Sequence, residues 1–519
     1  MKRWHWWLAL LAVGASFWGC WGYGLFDLDE GIYAAALSEM RQRGDWIIPT
    51  FDGKPFFEKP ILMYWGGLAF SSAGVPGELA LRLFSGICML GLAGVVAWFV
   101  RRRVGETEAL FAMLAVGFCP LVAGMGRMFM PDAPLLLFFS LALFSFWESI
   151  VGDIRWRILS GASLGCAMLA KGPFTSALAV VLIVYCVFAF KQHRAQLSRG
   201  WMLPILAYAV VVSAWYVPVA VKQGSSFFSE FVVRQNLGRL AGADEAHLGP
   251  PYFYIPVVIA ICWPYAAAIA SATKNRERSD FERFLWAWCV AVFVLFSIAG
   301  SKLPHYVAPM FVPLLVLAAI HLNRQQSKPI SVLAGLSAIA GAAVVLAAFI
   351  LVADEGQLDF RTILLSAGIP LGLAGLFGLV SRANWWPVAA SGALTMGLCW
   401  VGFPDYWRQS HGHVRATAEA ISARTPSELI EFRMDGMGER LATSHPSLRW
   451  YTGIGPKEVI WPEDLATVCR NGSLVLTRRN RLTPSTQRSL QDIGLALTRV
   501  GEFGEFSLYE SRWFSPRAR

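Results

Sequence analysis

The sequence predicts a polytopic α-helical membrane protein with about 13 transmembrane helices and a small α/β domain at its C-terminal end. Three observations predict it. Of 519 residues, 55% are hydrophobic and only 15% charged, whereas an ordinary soluble chain carries about a quarter charged residues. Apolar stretches follow one another almost without polar relief up to residue 403, and a soluble core of that size would break into domains joined by polar linkers. The formal net charge is +10, yet the Lys and Arg residues recur in short segments between apolar stretches. That is the pattern of membrane topology, not the single basic patch that nucleic acid requires.

A helix crosses the hydrocarbon with about 20 residues at about 1.5 Å each. This places spans near 5–26, 80–100, 107–125, 133–150, 156–171, 174–190, 202–222, 251–271, 284–300, 304–322, 330–353, 362–380 and 384–403. The stretch after Met1-Lys2-Arg3 is too long for the roughly 7–15-residue core of a signal peptide and reads as a retained first span. With the N-terminus cytoplasmic, the cytoplasmic segments hold Arg101-Arg102-Arg103, Arg155, Arg157, Lys191, Arg194, 274–278, Arg324, Lys328 and Arg382, as the positive-inside rule requires. The extracytoplasmic segments are then 27–79, 126–132, 171–173, 223–250, 301–304, 354–361 and everything after 403.

Residues 1–403 thus form a membrane domain. Its first outer loop, 27–79, mixes carboxylates with Trp and Phe and predicts amphipathic helices on the membrane face, chiefly 34–43, stopped by Gly44. Residues 404–519 form an extracytoplasmic α/β domain, with strands predicted at 427–432, 448–451, 458–461, 473–477 and 505–510 and helices at 416–423 and 486–493. Eight of the nine Cys lie in apolar runs, and no CxxC or Cys/His ligand spacing occurs. Neither a disulfide framework nor a zinc module is indicated.

Transporters place polar residues inside broken spans near the midplane. Here the polar residues that are not cytoplasmic anchors gather at the outer ends of spans, which points to an enzyme acting at the outer membrane boundary on a lipid-borne substrate. Asp27-Leu28-Asp29-Glu30 follows the first span; it reads as a helix start favoured by the dipole or as a general base. In Phe56-Phe57-Glu58-Lys59-Pro60, Lys59 is a snorkelling side chain or a ligand for a lipid phosphate, and Glu58 a candidate oxygen ligand for a divalent ion. Arg127, Asp132, Lys171, Lys302, His305 and Tyr306 stand at further outer span ends, each a helix cap, an interface anchor or a phosphate contact. A lipid phosphate needs several such donors. His247, in the second long loop, is a surface histidine or a metal partner of Glu58.

Together these segments resemble the lipid-carrier-dependent glycosyltransferases, which include protein O-mannosyltransferases and the bacterial 4-amino-4-deoxy-L-arabinose lipid A transferases. The pieces that carry the resemblance are Asp29-Glu30-Gly31-Ile32-Tyr33, Gly44-Asp45-Trp46-Ile47-Ile48-Pro49, Phe57-Glu58-Lys59-Pro60 through Tyr64-Trp65, 127–132, Lys171-Gly172-Pro173, 247–252 with Trp263-Pro264, and Ser301-Lys302-Leu303-Pro304 with Tyr306. They stand in family order over residues 1 to about 320. The resemblance implies a GT-C fold and sugar transfer from a polyprenyl-phosphate carrier to a lipid A, other lipid, glycan or protein acceptor at the outer face of a bacterial inner membrane. It implies Asp29, with Glu30, as the catalytic acidic position. Lys59, Arg127, Lys302 and Tyr306 would bind the carrier phosphate, and Tyr33, Tyr64, Asp132 and Lys171 would line the substrate pocket. Glu58 and His247 would be positions for a divalent Zn, Mg or Mn ion, and no nucleotide is required. Ile32 departs from the Arg usual in the aminoarabinose branch, so the resemblance speaks to the reaction type more than to the sugar or the acceptor. The rival readings are a flippase of lipid-linked sugars, which would move its substrate without bond cleavage, and a non-catalytic scaffold acting through its tail.

Overall fold

The computed structural model describes residues 3–27, 29–231, 248–262, 265–322, 407–408, 411–426, 428–432, 445–479 and 481–514, with scattered helical residues between 338 and 376. The chain groups into two compact units, residues 1–20 with 56–403, and residues 21–55 with 404–519. Segment 21–55, which the sequence reading assigns to the membrane domain, therefore folds with the tail.

The first unit is helical. Among the described residues, Gly77–Arg103, Asp132–Val151, Met202–Gln223, Asp280–Ile298 and Pro304–His321 are each long and apolar enough to cross a membrane. Two bent pairs, Glu106–Gly117 with Pro120–Gly126 (63°) and Phe174–Ala189 with Lys191–Leu197 (99°), raise the number to seven if each pair is one span. The expected spans near 330–353, 362–380 and 384–403 lie largely outside the described residues.

Several expected spans differ, for local reasons. The first helix, Arg3–Ala15, stops well short of residue 26. Ser16 turns its hydroxyl onto the Val13 carbonyl at 2.6 Å, and Gly19 takes a φ of 76° that side chains rarely adopt. The span expected over 107–125 breaks before Pro120, which has no N–H to continue a helix. Among the described residues the span expected over 251–271 holds two helices, Tyr254–Cys262 and Ala266–Lys274.

Aromatic rings fill the bundle. Phe99 stacks on Phe144 at 5.2 Å and Trp147 on Phe284 at 5.0 Å. Trp156–Lys171 lies against Met202–Gln223 through Gly161 and Gly165. A Cβ on Gly161 would stand 2.1 Å from the Pro204 carbonyl oxygen, and one on Gly165 would stand 2.9 Å from Val211. This is the close backbone approach that small residues four apart allow between membrane helices. At the ends of spans expected to face the cytoplasm, Glu148 is buried and takes both Arg103 Nε and Nη2 at 2.5 Å.

In the second unit, the helix of segment 21–55 runs over Asp29–Arg43 and buries Glu30 to Leu37 and Met40. The amphipathic surface helix expected at 34–43 is thus a packed helix, covered by the tail's Ser447–Thr452 helix. Behind it lies a two-residue hairpin, β1 (Thr50–Phe51) with β2 (Lys54–Pro55). Asp52 and Gly53 at its tip both have positive φ (58° and 69°), as a tight hairpin turn demands. Asp-Gly is a turn signal that a purely helical reading of 27–79 misses.

Among the described residues the tail holds a five-stranded mixed sheet in the order β4 (Lys457–Val459), β3 (Leu429–Phe432), β5 (Leu474–Arg478), β7 (Phe506–Trp513), β6 (Leu495–Phe503). β3 runs parallel to β4 and β5, and β7 antiparallel to β5 and β6. Successive residues of β3 and β5 enter cores on opposite faces, Leu429, Leu474 and Leu476 on one and Ile430, Phe432 and Val475 on the other. Such strands read as unbroken apolar runs because both faces are covered. The helices at 411–422 and Pro484–Asp492 agree with expectation, and β6 is an addition to it. The strand expected at 448–451 is instead the Ser447–Thr452 helix, entered from Pro446 and ended by Gly453 in the left-handed conformation, two strong helix punctuators.

Candidate functional site

Within the membrane unit, polar side chains from segments distant in sequence meet at the start of the Asp132–Val151 helix. Asp132 is 1% exposed. Its Oδ1 accepts a hydrogen bond from Lys171 Nζ, and among the described residues its buried Oδ2 has no hydrogen-bond partner. Lys171 ends its own helix just before Gly172, whose φ of 101° turns the chain, and its ammonium sits 5.1 Å over the Tyr306 ring in a cation–π contact. The charges of His305 and Lys59 also act on Asp132. Lys59 pairs with its neighbour Glu58 at 3.0 Å, and both side chains are mostly buried. Tyr64 is fully buried against Phe129 at 6.2 Å. Lys59, Asp132, Lys171, His305 and Tyr306 thus form one partly buried polar cluster of cations, a carboxylate and an aromatic hydroxyl.

Two of the expected phosphate contacts also hold backbone carbonyls. Arg127, 1% exposed, gives Nη1 to the carbonyls of Ser16 at 2.7 Å and Trp18 at 2.8 Å. It thereby holds the turn after the first helix, as Arg82 does through the Cys20 carbonyl at 2.6 Å. Lys302 Nζ donates to the carbonyls of Phe296 (2.9 Å), Ser297 (3.1 Å) and Ala299. These are the unsatisfied acceptors at the end of the Asp280–Ile298 helix, where a cation also suits the dipole. For both residues, then, the cap is the role the structure displays. His247 lies outside the described residues, so Glu58 is the one described member of the expected metal pair.

In the second unit the three carboxylates of the acidic segment have different settings. Asp29 is exposed in the first helical turn. Glu30 is fully buried and accepts the Phe26 N–H at Oε2, 3.0 Å. Tyr33 is 1% exposed. Asp27 is the anchored carboxylate. Its Oδ1 accepts the Ser447 N–H at 3.0 Å, and its Oδ2 accepts the Ser447 hydroxyl at 2.5 Å and faces His445 Nδ1 at 3.0 Å. The other nitrogen of His445 lies 3.1 Å from Glu505 Oε1, which also faces His413 Nε2 at 3.5 Å. Burial disfavours charge on His445, but the hydrogen bond and charge of Asp27, joined by Glu505, outweigh it and raise its pKa. Burial, aided by His445, lowers that of His413.

His413, His445 and Glu505 are the group among the described residues that could hold a metal ion, their donor atoms all within 4.8 Å of one another. The sequence reading misses this group. Its one signal is that three of the chain's eight His fall within the tail, and their spacing matches no metal motif.

The chain is a membrane protein with a GT-C fold, made of a helical unit with polar side chains at its span ends and a second unit with a small sheet. The comparisons agree. The dolichyl-phosphate-mannose-protein mannosyltransferase family matches residues 18–223. The undecaprenyl phosphate-alpha-4-amino-4-deoxy-L-arabinose arabinosyl transferase of Edwardsiella ictaluri is 27% identical over 428 residues, 78% of this chain and 74% of that one. Its counterpart in Enterobacter sp. is 30% identical over 315 residues, 59% of this chain and 57% of that one. In fold, the chain is similar to ArnT from Cupriavidus metallidurans bound to undecaprenyl phosphate, with a TM-score of 0.80, 20% identity and 100% of both chains covered. The archaeal oligosaccharyltransferase AglB from Archaeoglobus fulgidus is more distant, with a TM-score of 0.56 at 12% identity over 99% of this chain and 75% of that one. The resemblance read from the motifs to lipid-carrier-dependent glycosyltransferases holds in sequence and in fold.

Proposed function

We propose that this chain transfers a sugar from a polyprenyl-phosphate carrier of the undecaprenyl type to an acceptor at the outer face of the cytoplasmic membrane. Lipid A is the first acceptor to test, ahead of other lipids, glycans and proteins. The observation that carries the reading is similarity, across 78% of the chain, to transferases whose names specify an undecaprenyl phosphate-linked sugar. The Lys59–Asp132–Lys171–Tyr306 cluster supports it, since a lipid phosphate needs cationic and hydroxyl donors at a span end.

In the reaction, the acceptor oxygen bonds to the anomeric carbon while the carbon–oxygen bond to phosphate breaks. The electron pair leaves with polyprenyl phosphate, and the acceptor proton passes to a carboxylate. Asp29, exposed and acidic, is the base, and Glu30 holds the start of its helix. Lys59 and Lys171 stabilise the charge developing on the phosphate, with Tyr306 beneath Lys171. Arg127 and Lys302 hold the span ends that present these groups, and Tyr33 and Tyr64 back the substrate pocket. Glu58 with His247 would hold a divalent ion that screens phosphate charge, and no nucleotide takes part. The membrane domain lies within 1–403 with about 13 spans, segment 21–55 excepted, which folds with the tail; the N-terminus is cytoplasmic, and the 404–519 domain is extracytoplasmic.

The test is transfer of label from a polyprenyl-phosphate sugar to lipid A by the purified chain. Asp29→Asn should lower turnover by about 10²-fold or more, the usual worth of a general base. Wild-type turnover by that variant removes Asp29 from its role. Movement of intact donor between vesicle leaflets without bond cleavage would establish the flippase reading instead.

A further inference from the structure

We propose that His413, His445 and Glu505 form a divalent-metal site, zinc by preference, that staples the small domain together. The site does not depend on the transferase reading, and it uses none of the residues assigned to that reaction. Three remote segments supply the donors: the helical stretch 411–422, the residue before Pro446, and the hairpin between β6 and β7. His413 Nε2 and His445 Nε2 both face Glu505 Oε1, at 3.5 and 3.1 Å, and all three donor atoms lie within 4.8 Å. A tetrahedral ion with bonds of about 2.0–2.2 Å spaces its ligand atoms by roughly 3.3–3.6 Å. Small side-chain rotations close the difference and leave the fourth position for water.

Two further observations separate this arrangement from a chance meeting of polar groups. Asp27 Oδ2 sits 3.0 Å from His445 Nδ1, so a carboxylate fixes the ring from behind while Nε2 points at the common centre. That is the outer-shell arrangement metal-bound histidines use to set tautomer and orientation. Gly504 has a φ of 55°, and a Cβ there would stand 2.4 Å from His413 Cβ, so the hairpin tip lies against the His413 side chain as closely as a glycine permits. A proton held by His445 between Asp27 and Glu505 is the competing account, but it leaves the buried His413 Nε2 with a 3.5 Å approach to Glu505 Oε1 and no hydrogen bond among the described residues. Two imidazoles and one carboxylate suit zinc or a similar first-row ion better than Mg or Ca.

The experiment uses the full chain in detergent, stripped with chelator, reloaded with zinc chloride and desalted. Metal per chain and melting temperature are measured for wild type, His413→Ala, Glu505→Gln and Glu58→Gln. The expected result is one zinc fewer in both His413→Ala and Glu505→Gln than in wild type, with loss of the zinc-induced rise in melting temperature. Glu58→Gln should keep that ion and that rise. Should His413→Ala fold poorly, Glu505→Gln, a change at a half-exposed hairpin tip, decides alone. Wild-type zinc content in Glu505→Gln overturns the proposal, as does loss of the ion from Glu58→Gln only or a wild-type chain that binds no zinc.

Discussion

Asp27 offers the sharpest quantitative test of how segment 21–55 is held to the tail. Its side chain is about 5% exposed and accepts the Ser447 amide and hydroxyl while facing His445. Hydrogen bonds to a charged group contribute about 1.5–3 kcal/mol each, and a buried donor left unpaired costs about 1–3 kcal/mol. Ser447 is fully buried, so Asp27→Ala strands its N–H with no water to replace the carboxylate. Breaking a buried charged arrangement by removing one partner costs about 3–5 kcal/mol, and we expect that range for Asp27→Ala. Asp27→Asn keeps the shape but presents an NH₂ to one of the donors and should cost about 1–3 kcal/mol. At about 1.4 kcal/mol per tenfold, amide exchange at Ser447 should quicken by about 10²-fold or more in the alanine variant. Hydrogen exchange on the full chain reads this directly, with chelator present so that ion binding plays no part. Exchange at Ser447 within threefold of wild type in Asp27→Ala would refute the reasoning.

Other expectations follow from the same geometry. Gly31→Ala would put a Cβ 1.9 Å from Asp27 Oδ1, so it should mimic Asp27→Ala in the same exchange assay. Arg449 pairs with Asp52 at 3.1 Å and Glu39 at 3.6 Å and lies over Phe51 at 4.8 Å; Arg449→Met should speed proteolysis at the 50–55 hairpin several-fold, at a cost of about 1–2 kcal/mol for these partly exposed contacts. Lys302→Met strips three carbonyls of their cap and should lower the melting temperature, while polyprenyl-phosphate affinity measured below that temperature stays within a few-fold of wild type. A selective loss of affinity would return Lys302 to the phosphate. The Cys469 thiol, buried and beside Glu428, is pushed up to about 11, so it is protonated at pH 7–8 and should resist maleimide until the tail unfolds. Rapid labelling of the native chain, mapped by mass spectrometry, would contradict its burial.

Much of the membrane unit was legible along the chain because lipid imposes a one-dimensional rule. An apolar helix must be long enough to cross, and that length shows in Gly77–Arg103, Asp132–Val151 and Met202–Gln223 without knowledge of their neighbours. The cluster of Lys59, Asp132, Lys171 and Tyr306 was legible for a related reason, since charge beside a span is costly unless used. Tertiary structure alone decided what each cation touches. Arg127 and Lys302 look like Lys59 and Lys171 in sequence, yet they cap carbonyls of the Ser16–Trp18 turn and the Asp280–Ile298 helix end, acceptors that exist only once those helices stop where they do. Residues 448–451 show the same limit, since an alternating apolar pattern yielded to Pro446 and Gly453. The meeting of Asp27, His413, His445 and Glu505 was beyond any pattern in the chain, because nearly 400 residues separate the first from the second and only the packing of segment 21–55 with the tail sheet brings them together.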